Sequence, residues 1–218
     1  AVNCRKYVFP EIPEGVEFSF AFSVFKGDAW FERATFEGDA WFRGVTFKGD
    51  ASFEGATFEE YAGFWEATFE KYTSFDGATF RGNASFEGAT FKGAWFGWTT
   101  FEGDAWFERA TFEEYATFDG ATFKGVARFR GAIFEVDASF ERTTFEGMAD
   151  FRGKREDFEC KFYDELNFSN TEFRKGVFIN IPSEWFKLPS AEAEACRVQR
   201  ISYEREGRKD DADRMFVR

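Results

Sequence analysis

Histidine is absent from this chain of 218 residues, and leucine occurs only at Leu166 and Leu188. Without histidine the chain lacks the side chain that most often serves as base, proton shuttle or metal ligand near neutral pH. With only two leucines it has little of the usual filler of a globular core. Cysteine is scarce too. Cys4, Cys160 and Cys196 stand far apart and are odd in number, which suggests a reducing compartment rather than a disulfide framework. A cytoplasmic location is expected on that ground. No apolar run reaches the ~18 residues of a membrane-spanning helix, and no signal-peptide pattern is visible. No phosphate loop ending in Lys-Ser or Lys-Thr occurs, and neither Cys nor Ser stands in a nucleophile motif. The expectation is a non-enzymatic chain that uses no cofactor and no metal.

Phenylalanine is what the chain has instead: 35 of them, in a protein of net charge −12. An ordinary globule does not choose one core residue, whereas a solenoid with equivalent inward sites can. From Phe25 to Phe151 the Phe recur in alternating steps of six and five, as at Phe25, Phe31, Phe36, Phe42 and Phe47. The unit is therefore eleven residues. One step is short, because Lys92-Gly93-Ala94 lacks the residue that is Asp28 in Lys26-Gly27-Asp28-Ala29. Two residues before nearly every Phe stands a small one, as in Ala34-Thr35-Phe36 and Ala40-Trp41-Phe42.

An eleven-residue period also suits a right-handed helical coiled coil. At about 100° per residue, however, these Phe and small residues scatter round a helix and form no stripe. The pattern small–x–Phe has period two, which puts both residues on one face of a short strand. Gly two residues after Phe (Gly38, Gly44, Gly49, Gly55, Gly77, Gly82) is then expected to make the corner with a positive φ.

The repeated small–polar–Phe–turn–turn pattern resembles the pentapeptide repeat family. The resemblance covers about Phe20 to Phe178 and recurs more than twenty times. It implies an all-β solenoid, a right-handed quadrilateral β-helix with four steps per coil, here about seven coils. The departure is that every second step has six residues. One coil then takes 22 residues rather than 20, with two opposite corners wider than the other two.

In chain order, residues 1–17 read as an irregular lead-in or cap, and residues 18–181 as the β-helix. A charged insertion is expected at 152–164, followed by one more coil through Phe168, Phe173 and Phe178. Residues 182–218 read as a helical cap or linker. Ser190 suits an N-cap, and Gly207 a stop. Trp185, Phe186 and Leu188 are expected to pack on the last coil. This end resembles helical linkers that follow Phe-rich pentapeptide repeats in larger proteins, some of which continue into a membrane channel-like region. The segment itself is not expected to enter a membrane.

The coil register assigns the outward residues to four sides, named after the inward Phe at 25, 31, 36 and 42. The third side carries a Thr ladder: Thr35, Thr57, Thr79, Thr100, Thr122 and Thr144. The residues following the second-side Phe are Glu32, Glu54, Asp76, Gly97, Asp119 and Glu141, an acidic column at about one charge per 4.8 Å. The fourth side carries Trp41 and Trp106. These carboxylates and the two Trp form the candidate interaction surface. Asp28, Asp39, Asp50, Asp104 and Asp137 at the wide corners are expected to bond turn backbone rather than calcium. The leading reading is a structural or protein-interaction scaffold, a soluble module of a larger protein. Its expected partner is another protein, with no direct contact to nucleic acid. The alternative comes from the resemblance: some pentapeptide repeat proteins mimic DNA and bind a type II topoisomerase such as DNA gyrase.

Overall fold

The computed structural model describes residues 2–5, 8–9, 19–151, 160–163, 166–179, 196–198, 200–204 and 207. Most strands are only two residues long, and every pairing is parallel. Each strand pairs with its equivalent one coil away, as Thr57–Phe58 does with Thr79–Phe80. Such ladders exist because a small residue and a Phe, two apart, both point inward while the residue between them points out. Ala34, Phe36, Ala40 and Phe42 are buried, whereas Thr35 and Trp41 are half-buried. The result is a parallel β-solenoid with four sides per coil.

The core is a set of Phe columns. Within a column, rings stack at the rung spacing: Phe36 on Phe58 at 4.7 Å and 0°, Phe96 on Phe118 at 4.9 Å and 1°. Between columns they meet edge to face, as Phe42 and Phe53 do at 5.5 Å and 87°. Burying each ring contributes about 1.5–3 kcal/mol. Each aromatic pair adds about 0.5–1.5 kcal/mol beyond its area. Ordering the backbone costs about 1–2 kcal/mol per residue, so an unbroken column is what a two-residue strand requires.

The corners are of two kinds, and this corrects the expectation for glycine. In the five-residue steps the chain makes a tight turn closed by a hydrogen bond, such as Ala56 N–H to the Phe53 carbonyl at 3.0 Å. The third residue of that turn has a positive φ, as at Gly44, Gly55 and Gly77. Arg33, Glu66, Trp98 and Arg109 adopt the same conformation without being glycine. Gly38, Gly49 and Gly82 lie in the wide corners and have no positive φ. Stacking is the reason for Gly49 and Gly82. A Cβ on Gly49 would lie 2.5 Å from the Asp28 backbone nitrogen, and one on Gly82 would strike the Glu60 carbonyl.

The ends also differ from the sequence expectation. Val2–Asn3 pairs with Ala29–Trp30, and Val8–Phe9 pairs with Thr35–Phe36. Part of the lead-in is thus the first rung of two sides. Lys161–Phe162 pairs with Ile133–Phe134, so residues 160–163 belong to the ladder, with Cys160 and Phe162 buried. In the last coil Asp150 pairs with Phe178, which puts Phe178 at the outward position and leaves the core site to Ile179. The first side has seven rungs, from Val24–Phe25 to Lys161–Phe162. Seven rungs make six full turns, and the three remaining sides run on to Ile179, slightly short of the seven coils expected.

Residues 196–198 and 200–204 are helical, and Gly207 follows in a turn with φ +76°. The helix lies on the end of the rod. Val198 and Ser202 are fully buried, and Ile201 packs against the core. The Ser202 hydroxyl accepts the Ile179 N–H at 3.1 Å, and the Arg197 guanidinium donates to the Thr171 carbonyl at 3.3 Å. These bonds satisfy backbone groups that a last coil would otherwise leave unpaired. Ser190, Trp185, Phe186 and Leu188 lie outside the described residues.

Candidate functional site

Each side presents one outward residue per rung and one residue just after Phe, so chemistry here means columns. The columns after the first- and third-side Phe mix both signs. On the third side Glu59, Arg81, Glu102, Lys124, Glu146 and Arg174 alternate. Arg81 bonds Glu59 at 2.5 Å, Lys124 bonds Glu102 at 2.8 Å, and Arg174 bonds Glu146 at 2.7 Å. The Lys124 ammonium holds the Glu102 carboxyl below its usual range. On the first side Lys48 reaches Glu70 at 3.5 Å, and Lys92 reaches Glu114 at 3.1 Å.

The second side differs. Parallel stacking brings Glu32, Glu54, Asp76, Asp119 and Glu141 into one column, broken only at Gly97. The column is not uniform. Arg5, standing in the rung before Glu32, pairs with it at 2.9 Å. Arg142 lies 3.3 Å from Glu141. Asp76 turns to the backbone and accepts the Gly97 N–H at 2.7 Å. Asp119 accepts the Glu141 N–H at 2.9 Å and the Ser139 hydroxyl at 2.5 Å. Glu54 is exposed.

Asp76 and Asp119 turn in alike, and Asp119 does so although the Ser139 hydroxyl also accepts the Glu141 N–H, at 3.4 Å. Elsewhere on this side a Ser or Thr accepts the N–H two residues on. Ser74 accepts from Asp76 at 3.2 Å, and Thr117 accepts from Asp119 at 3.1 Å. Trp95 has no hydroxyl, so the Asp76 carboxylate supplies the acceptor for Gly97. Burial, helped by the nearby Glu54, pushes the Asp76 carboxyl above its ordinary value against the pull of that N–H.

Trp41 and Trp106 share the fourth side but are three rungs apart, with Gly63 and Ser85 between them. Trp41 lies 5.0 Å from Tyr61 and 5.3 Å from Trp65. A Cβ on Gly63 would overlap the Trp65 and Tyr61 rings. The Arg43 guanidinium lies 5.6 Å above Trp65 and 5.5 Å above Phe22, which is 67% exposed. Trp106 has Arg128 over its ring at 5.8 Å. These residues form two separate clusters, not one.

A third aromatic group went ungathered in the sequence, although each member is visible there. Trp95 and Trp98 belong to the coil with the short corner. Tyr72 contacts the Trp95 ring at 5.0 Å and 62°. A Cβ on Gly93 would lie 2.8 Å from the Tyr72 ring, so it is the absence of a side chain at Gly93 that leaves room for that ring. Trp98 is 70% exposed, Tyr72 52% and Tyr115 39%. The signal was the coincidence in one coil of a deletion, two Trp and a Gly in the acidic column.

At three of the five wide corners singled out, the Asp carboxylate bonds backbone, but that of the next coil rather than its own turn. Asp28 accepts the Asp50 N–H at 3.2 Å, Asp39 the Tyr61 N–H at 3.1 Å, and Asp104 the Val126 N–H at 2.8 Å. Among the described residues no group of three or more acidic, Cys or His side chains is placed to hold a metal ion. No helix among them is long and apolar enough to cross a membrane.

The architecture defines the class of protein first: a parallel β-solenoid with a Phe-filled core and chemically distinct outward columns. A family profile described as pentapeptide repeats in nine copies matches residues 17–57, 31–79, 75–120 and 107–153. The chain belongs to the pentapeptide repeat family. No curated protein and no solved structure matches it beyond that family profile.

Proposed function

We propose that the chain is a non-enzymatic protein-interaction scaffold, a soluble module of a larger protein. One observation carries this reading. The interior is filled by stacked Phe, so the polar and aromatic groups lie on outward columns at fixed rung spacing. A rod of this kind offers a partner a ruler of side chains rather than a cleft. Cys4, Cys160 and Cys196 are few, far apart and odd in number, which supports a reducing compartment such as the cytoplasm. The test is affinity capture on the immobilised chain, competed by free chain. Proteins released by the competitor are expected; none released would overturn the scaffold reading.

The alternative is a mimic of duplex DNA that binds a type II topoisomerase. The second-side column favours it, since duplex DNA also presents regularly spaced negative charge. Against it, Gly97 breaks the column, Arg5 pairs with Glu32, and Asp76 and Asp119 are engaged with backbone. A gyrase supercoiling assay separates the two readings. The scaffold reading expects unchanged supercoiling, whereas dose-dependent inhibition would favour the mimic.

A further inference from the structure

Three tyrosines stand just before the inward small residue at a wide corner: Tyr61, Tyr72 and Tyr115. Only the first is engaged at both ring and hydroxyl. Tyr61 is half-buried, its ring packs beside Trp41 and Trp65, and its hydroxyl bonds Ser85. Tyr72 and Tyr115 stand at the opposite wide corner, between the first and second sides, and are 52% and 39% exposed. Among the described residues nothing bonds either of their phenol hydroxyls.

The two belong to one column. Parallel register places Asp28, Asp50, Tyr72, Gly93, Tyr115 and Asp137 in successive rungs. The rings of Phe69, Phe91 and Phe112 beneath them stack at 4.8 and 5.1 Å, so the rungs of the two Tyr lie about 10 Å apart along the rod. The Tyr72 ring is held in place. It leans over Gly93, where a Cβ would be 2.8 Å away, and meets the Trp95 ring at 5.0 Å and 62°. An exposed ring fixed in this way loses little further freedom on binding. Carboxylates bracket the pair, with Asp50 one rung before Tyr72 and Asp137 one rung after Tyr115. Lys92, the cation nearest the space between them, is already shared by Glu113 and Glu114 at 3.9 and 3.1 Å.

We propose that this column binds a proline-rich segment of a partner protein, laid along the rod with a basic residue at each end. A polyproline II helix repeats every three residues, about 9.3 Å, which matches the two-rung spacing of Tyr72 and Tyr115. Prolines three apart land one on each Tyr ring, as such helices do on aromatic surfaces, and Trp95 flanks the first. The helix makes no internal hydrogen bonds, so its carbonyls accept from the two phenol hydroxyls. An extended strand repeats every two residues, about 6.7 Å, and falls out of step with the pair. The basic ends meet Asp50 and Asp137. Charge also favours this occupant over a second copy of the chain: the net charge of −12 makes two copies repel and attracts a basic segment. This rests on the scaffold reading and gives it a partner chemistry.

The test uses the whole chain and a labelled peptide repeating proline-proline-arginine, followed by fluorescence anisotropy at physiological ionic strength. A peptide repeating glycine-glycine-arginine carries the same charge without the helix. The test variant is Tyr72→Asp with Tyr115→Asp. It copies Asp50 and Asp137 of the same column, so the rod keeps its fold, and it adds two carboxylates that would strengthen plain charge attraction. A second variant, Tyr72→Phe with Tyr115→Phe, keeps both rings and removes the hydroxyls. The control is Trp98→Gly, which removes a 70% exposed ring outside the column and relieves a positive φ. The Asp variant, and the glycine peptide on the parent, are expected to bind about tenfold more weakly, the Phe variant several-fold more weakly, and the control as the parent does. Equal or tighter binding by the Asp variant would overturn the column as the site. Equal affinity for both peptides would overturn the polyproline geometry, and unchanged binding by the Phe variant the hydroxyl contacts. A loss in the control as large as that in the Asp variant would place the contact off the column and also overturn the proposal. So would a dimer, seen by sedimentation, that the Asp variant dissolves while the peptide stays unbound. If the Asp variant binds peptide as the parent does and still releases proteins in affinity capture, the scaffold reading stands while this inference falls.

Discussion

Along the third side every after-Phe charge from Glu59 to Arg174 has an opposite one a coil away, whereas along the second side the same position is acidic or Gly from Glu32 to Glu141. The backbone, the spacing and the stacked Phe beneath are alike on both sides. The core therefore does not dictate the surface: once each rung supplies a small residue and a Phe, the outward residue is free to vary. The third side uses that freedom for neutrality. The second side keeps its negative charge, and the exposed aromatics Tyr72, Trp98 and Tyr115 fall in three successive coils beside it.

The largest effects should ignore this contrast. Phe75→Ala on the second side and Phe80→Ala on the third each remove a fully buried, stacked ring. Each should cost about 3–5 kcal/mol in urea unfolding. Markedly unequal costs would mean that the sides differ in their cores as well. Thr79→Ala, at the outward half-buried position beside Phe80, should cost far less than either.

Next in size is one chemical change that should have opposite signs on the two sides. Thr73 and Thr99 both replace the inward small residue and are both buried. On the third side the Thr99 hydroxyl donates to the Phe75 carbonyl at 2.8 Å. On the second side the Thr73 hydroxyl has no partner. Thr73→Val keeps the shape and removes the orphaned group, so it should stabilise by about 1 kcal/mol; Thr99→Val should destabilise by about as much. Calorimetry showing the same sign for both would break the comparison.

Acidity gives a smaller effect, and on the second side its sign is set by burial. Burial and Glu54 raise the Asp76 carboxyl in the folded rod. A group whose folded pKa lies above its unfolded value binds more protons when folded, so its contribution to stability declines as pH rises through that range. Asp76→Asn should therefore be more favourable relative to the parent at neutral pH than near pH 4, as read from melting temperatures against pH. An offset that does not change with pH would contradict this. The Asn side chain can still accept the Gly97 N–H, which keeps the comparison clean.

The surface charges should matter least. Lys124→Gln on the third side should lose, and Glu54→Lys on the second side should gain, no more than about 0.5 kcal/mol at low salt, with both effects fading as salt rises. A loss from Glu54→Lys would show that Glu54 has a structural role its exposed position does not suggest.

From Phe25 to Phe151 the sequence by itself determined the repeat, the inward and outward positions, the four sides and the members of their columns. All of these follow from period two along a strand and a fixed count per coil, both local and countable properties. Residues 160–163 were read as insertion, and Phe178 as core, because local spacing cannot show where a ladder resumes after an interruption. Only the pairing of Lys161–Phe162 with Ile133–Phe134, and of Asp150 with Phe178, reveals it. Tertiary structure alone also decided which glycine serves φ and which serves contact, since Gly55 and Gly82 look the same in sequence. It decided that Asp76 and Asp119 turn to backbone while Glu54 faces solvent, and that Tyr72 lies over Gly93 in the coil that is one residue short. The physical reason is the same each time. These choices are made between coils, at the spacing of stacked strands, by atoms about 22 residues apart in the chain whose mutual positions no local pattern records.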